Sequence, residues 1–183
     1  TKAPVFNPDF YDCILYPERD LNTVYNYIQD NPRRLAERRD HPEWFQRVNY
    51  LTLDGLPCQA YGNLQLIQNP FIEAVVVRSV HSAELRKANR ERWLYAAANK
   101  GVLASAAYSQ HEKEIMKEAD RLGSKFIYFT EKPIDKFCKP QGHAFELCSQ
   151  GRLLLIYVNP GLFSRKRDWC LRMNSLAQTL AGR

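Results

Sequence analysis

Residues 101–131, GVLASAAYSQHEKEIMKEADRLGSKFIYFTE, decide how this chain is read. VLAS and KFIYFT are short apolar runs of strand length, and QHEKEIMKEADRL between them has helical spacing. A strand, a helix and a second strand predict a βαβ unit with parallel pairing. The loop after the first strand is Ser105-Ala106-Ala107-Tyr108-Ser109. Loops in that position hold phosphates, commonly with glycine, and this one has none. Ser109 and Glu112 have the spacing of a capping box. A filled box satisfies the donors that a phosphate would want, so the loop is read either as ordinary capping or as an altered phosphate pocket.

Working outward, IEAVVVRSV from Ile72 reads as a strand covered on both faces. SAELRKANRERWLYAAANKG follows as a helix capped by Ser82, with Gly101 just beyond it. Downstream, HAFELCSQ and RLLLIYV predict another helix and strand, and Gly123 and Gly151 fall where helices should end. The expected fold is α/β: a Rossmann-like parallel sheet of about four to five strands with helices on both faces.

Upstream, VNYLTLDGLPCQAYGN predicts a β-hairpin turning at Asp54-Gly55, with Pro57 placing the second strand at an edge. Pro4, Pro8 and Pro17 predict an irregular start, and Asp20 a cap for the short helix LNTVYNYIQD. Asn31-Pro32 should end that helix, with RRLAERRD forming another. The expected division is a helical appendage over 1–46 and an α/β domain with a C-terminal helix over 47–183. That last helix, Arg165 to Ala181, carries Trp169, Met173, Leu176 and Leu180 as an apolar stripe. The stripe either closes over the sheet or joins copies into a homo-oligomer.

The chain has 183 residues and a formal charge of +6. From Arg152 onward six cations face a single acid, Asp168. No run approaches the roughly 18 apolar residues of a membrane span, and no leader pattern is expected. Five scattered cysteines favour reduced thiols and a cytoplasmic location. The four histidines stand far apart, so neither a metal nor a cofactor is expected.

Anions in open α/β sheets sit beyond the carboxyl ends of the strands, near the point where strand order reverses. The candidate phosphate-binding residues are therefore Arg78, Ser79, Ser105, Tyr108, Ser109 and Glu112. Candidate nucleic-acid contacts are the basic groups Arg33, Arg34 and Arg38, and Arg165, Lys166 and Arg167. Each group has a plainer reading as a solvated or locally paired surface.

Two resemblances bear on function. Tyr61 to Val158 resembles the Rossmann-like domain of DNA-processing (Smf/DprA-type) proteins: YGNLQLI, Arg78-Ser79, GVLASAAYS, EADRLGSKFIYFTE and FELCSQGRLLLIYV follow in the family's order. The resemblance implies single-stranded DNA binding on a basic rim, with Arg78-Ser79 on the first loop and Ser105 to Ser109 on the second. The glycines of both family loops are missing, and Gln110-His111-Glu112 stands where the family has a Gly-Ile-Asp portion. Residues 6–45, with FNPDFYDCILYPERDLNTVYNYIQDNPRR, resemble the closing segment of repeat-associated, single-tyrosine HUH transposases. That resemblance puts the catalytic tyrosine at Tyr27, which otherwise reads as a helix tyrosine packing on the protein body. A tyrosine nucleophile of that kind needs a metal held by a His-hydrophobic-His pair, and this sequence has no such pair.

The resulting expectation is a non-catalytic module for a nucleotide or a nucleic acid, single-stranded DNA in particular, as part of a mobile-element or DNA-processing protein. The alternatives are a hydrolase of nucleoside phosphates using Glu112 or Glu114, and a transposase fragment.

Overall fold

The central strands alternate their side chains between two apolar layers, and that alternation organises the fold. The structure, a computed structural model, describes residues 18–134 and 140–182, with side chains from Leu21 onward. The expected irregular start up to residue 17 and residues 135–139 of the loop after KFIYFT lie outside the described residues, whereas the helix expected to begin after an Asp20 cap already runs from Glu18, which corrects that boundary. The chain divides into two compact units between Arg39 and Asp40.

The described part of the first unit is one continuous helix, α1 (Glu18–Asp40), whose last residue already belongs to the second unit and which has Pro32 inside it. The expected break at Asn31-Pro32 is therefore corrected. Proline removes one intrahelical hydrogen bond and crowds the preceding turn. The Asp30 carboxylate spans the damaged turn by accepting Arg33 Nε at 2.7 Å and Arg34 Nε at 2.6 Å. The Arg34 guanidinium also lies 5.8 Å from the centre of the Tyr27 ring. These contacts reach across the proline from both sides and favour continuing the helix.

The second unit is built on a six-stranded sheet in the order β1-β2-β6-β5-β4-β3. Its strands are β1 (Gln46–Leu53), β2 (Leu56–Gly62), β3 (Ile72–Ala74), β4 (Val102–Ser105), β5 (Lys125–Thr130) and β6 (Leu153–Val158). The last four run parallel in sequential order, and the β1-β2 hairpin joins antiparallel on β6. Asp54 and Gly55 both have positive φ, as the tight turn requires. The hairpin's second strand is internal, contrary to the expectation drawn from Pro57. Pairing with β6 begins only at Cys58, so Pro57 owes that neighbour no N–H. The run from Ile72 gives only a three-residue edge strand before the chain turns away.

Helices α2 (Ala83–Ala98), α3 (Gln110–Arg121) and α4 (His143–Ser149) connect the parallel strands. Trp93, Ile115, Met116, Ala119 and Leu147 from these helices pack with Leu103, Phe126 and Leu153 of the sheet in one core layer. Because strand order never reverses among β3 to β6, all three crossovers fall on that face. The opposite face is covered by α5 (Lys166–Ala181), whose Trp169, Met173, Leu176 and Leu180 pack with Ala104, Ile127, Leu154 and Ile156. The Trp169 indole N–H donates to the Val158 carbonyl at 2.9 Å, and Arg172 pairs with Asp54 in the hairpin turn at 2.8 Å. The stripe is thus spent inside the chain; joining copies through it would require α5 to leave the sheet.

The expected helix ends hold, with one difference of detail. Ser82 caps α2 by accepting the Leu85 N–H, and Gly123 and Gly151 take positive φ. At the end of α2 the left-handed residue is Lys100 instead of Gly101. Gly101 is required for closeness: an added Cβ would stand 2.7 Å from the Ala96 carbonyl oxygen.

Candidate functional site

The parallel strands end at a rim formed by the β3–α2 loop and the start of α3. Ser109 Oγ accepts the Glu112 N–H at 3.2 Å, and Glu112 Oε2 accepts the Ser109 N–H at 3.0 Å, completing the capping box. The same carboxylate accepts the Tyr108 N–H at 2.8 Å and, through Oε1, the Val77 N–H at 3.0 Å. Glu112 is only 3% exposed. Three backbone donors from two loops thus close on an anion supplied by the chain itself. This is the position a phosphate would take at a helix N-terminus, and here a side chain fills it.

Ser105 is committed in the same way. Its hydroxyl donates to the Val75 carbonyl at 3.0 Å and accepts the Ala107 N–H at 2.9 Å. That bond anchors a loop in which Ala107 has a φ of +46°, a conformation that costs a residue bearing Cβ. The glycine-free loop is therefore held by Ser105 and Glu112 together.

Arg78 and Ser79 remain exposed on the β3–α2 loop. With Arg86, Ser109, His111 and Val77 they line a groove of about 280 Å³ that contains no carboxylate. Arg86 donates to the Ser79 carbonyl at 3.0 Å, which holds its guanidinium over the loop. Beside the groove, and sharing Val77, Arg86 and His111 with it, lies a cleft of about 330 Å³ between α2 and α3. His81, Asn89, Arg90 and Trp93 line one side of it, and Glu114, Ile115 and Glu118 the other. Arg90 pairs with Glu118, and Glu114 accepts from Gln110 at 3.0 Å.

The structure thus brings Arg78, Ser79 and Ser109 to one groove and buries Ser105 and Glu112 beneath it. Tyr108 stands apart from the groove, with the Lys166 ammonium 5.2 Å from its ring centre. Of the basic groups, Lys166 pairs with Glu131 at 3.4 Å and Arg165 with Asp168 at 2.9 Å, while Arg33 and Arg34 share Asp30. The Asp168 carboxyl is held below its ordinary value chiefly by its hydrogen bond from Arg165. Arg167 is exposed on the first turn of α5, and Arg38 lies in the last turn of α1. Tyr27 is 48% exposed on α1.

Sequence reading missed the cleft itself. Its signal was two helical rows, Arg86, Asn89, Arg90 and Trp93 on α2 and His111, Glu114, Ile115 and Glu118 on α3, each with three- and four-residue spacing. Among the described residues no group of three or more His, Cys, Asp or Glu could hold a metal ion, and no helix is long and apolar enough to cross a membrane.

No protein-family model matches the chain, and comparison with curated proteins gave no match. A solved structure of DNA processing protein A from Helicobacter pylori, described for its single-stranded DNA binding mode, is similar at 14% identity with a TM-score of 0.48. The similarity covers 74% of this chain and 65% of that one, so this chain spans less than two thirds of its length.

Proposed function

We propose that this chain is a non-catalytic module that binds a phosphate-bearing nucleotide unit, free or within single-stranded DNA, at the rim beside β3. The observation that carries this reading is the groove in which Arg78 and Arg86 meet Ser79, Ser109 and His111 with no acid among them. Two guanidiniums at one groove favour a divalent oxyanion, because each offers a fixed fork of donors. With Glu112 filling the backbone-amide hole, the phosphate is held by side chains. Ser105, Ser109 and Glu112 then shape the loop beneath it. Arg167 on α5, with Arg165 and Lys166, and Arg33, Arg34 and Arg38 on α1 are proposed as further backbone contacts for a longer strand. Tyr108, beside Lys166, is offered as a stacking surface. The α/β body and the N-terminal helical appendage are proposed as separable parts.

The hydrolase alternative is favoured by one observation, that Glu114 lines the cleft next to the groove. Glu112 is unsuited to the role, since three backbone N–H groups hold its carboxylate.

The test is fluorescence anisotropy of a labelled single-stranded oligonucleotide at low and moderate salt, with nucleoside monophosphates as competitors. Binding should weaken with salt, and Arg78→Ala or Arg86→Ala should each lower the log-log slope by roughly one unit. Absence of binding at low salt to both probes overturns the reading. Release of base or phosphate that disappears in Glu114→Gln selects the hydrolase.

A further inference from the structure

We infer that the cleft between α2 and α3 is a pocket for an unpaired nucleobase; the inference rests on the nucleotide reading above and adds what the ligand carries beyond its phosphate. Trp93 is 2% exposed, lines the cleft, and its indole N–H has no hydrogen-bond partner among the described residues. Buried polar groups are paired in the great majority of cases. Leaving a donor such as this one unmet is destabilising. Trp93 packs in the core layer below α2 and α3 and could have been an apolar residue if packing were its whole role. The nitrogen itself is closed to solvent, so an acceptor brought in from outside reaches it by displacing the side chains that cover it at the cleft wall.

The rest of the cleft matches a flat heterocycle. Asn89 precedes Trp93 by one helical turn on the same face and supplies both a donor and an acceptor. Val77 and Ile115 give apolar walls for the ring faces. Glu118 and Arg90, already paired across the mouth, tie α2 to α3 there. Arg86 belongs to cleft and groove alike, so a ligand spanning both would have its phosphate at the arginines and its ring toward Trp93. About 330 Å³ is the size of a small-ligand pocket and far below what a base pair with its backbones requires. The base must therefore be unpaired, from a mononucleotide or a single strand.

Isothermal titration tests this with four nucleoside monophosphates, with ribose 5-phosphate, and with matched ordinary and abasic oligonucleotides. Base-bearing ligands should bind roughly tenfold or more tightly than base-free ones, about the worth of one buried hydrogen bond with ring contact. Trp93→Phe and Asn89→Ala should each remove most of that difference while leaving ribose 5-phosphate binding unchanged. If Trp93→Phe does not fold, Asn89→Ala on the helix surface carries the test alone. Equal binding of base-free and base-bearing ligands, lost together in Arg86→Ala, overturns the base pocket and leaves the phosphate groove standing. No binding by any of them removes both. Monophosphates binding as tightly as oligonucleotides identify a free nucleotide as the ligand, and much tighter oligonucleotide binding identifies a strand; either result upholds the pocket if the base is what matters.

Discussion

The carboxylate of Glu112 accepts the backbone N–H of Val77 at 3.0 Å, joining the first turn of α3 to the loop that leaves β3. A cap that ordinarily serves one helix here also fixes the neighbouring loop, and with it the placement of Arg78 and Ser79.

Removing that carboxylate should be costly. Glu112→Ala orphans the N–H groups of Val77, Tyr108 and Ser109, and charge-assisted bonds of this kind suggest a loss of about 2–4 kcal/mol. Glu112→Gln keeps acceptor oxygen and should lose about half as much. Denaturant unfolding monitored by circular dichroism measures both.

The vacated hole should then accept an anion. Glu112→Ala is expected to gain stability as sulfate or phosphate is raised at constant ionic strength, while Glu112→Gln and the parent protein gain much less. A thermal-shift series with chloride as control reads this, and equal responses in all three would show that the three donors do not form a hole.

Continuity of α1 through Pro32 should depend on pH. Two arginine hydrogen bonds hold the Asp30 carboxyl below its ordinary value of 3.8. A depressed carboxyl contributes stability that is complete above the unfolded value and lost as pH falls through the folded one. A peptide of residues 18–40 should therefore lose helicity below about pH 4. Asp30→Asn should lose it at neutral pH, with circular dichroism as the readout.

Gly62→Ala should be among the most damaging single changes. Gly62 has a φ of +121°, and an added Cβ would stand 2.2 Å from the Leu153 carbonyl oxygen. Since backbone of β6 must move, a loss of about 3 kcal/mol or more is expected. Unfolding midpoints of this variant and of Gly55→Ala separate crowding from φ strain, because Gly55 has open space around it.

The local chemistry of this chain was readable residue by residue. Ser82, Ser109 with Glu112, Asp54-Gly55 and the glycines after α3 and α4 each announce a structure that needs only near neighbours. The position of β2 beside β6 was hidden because it depends on which strand edge remains open after the helices have packed. The helix through Pro32 was hidden because breaker rules ignore ion pairs that reach across the break. The cleft was hidden because Trp93 and Glu118 come to line one cleft only through the packing of two helices. Rules local in sequence see caps and turns; sites shared between helices come into view only with the fold.

The sequential order of β3 to β6 has a consequence for how the molecule is made. With every crossover on one side, the other side of the sheet is covered by α5, which follows in sequence all the strands it shields. A ribosome delivering this chain would release a half-dressed sheet, with Ile127, Leu154 and Ile156 facing water, until residues 166–181 had cleared the exit tunnel. That interval is when nascent copies would be most prone to stick to one another, and a pause placed just before α5 would lengthen it.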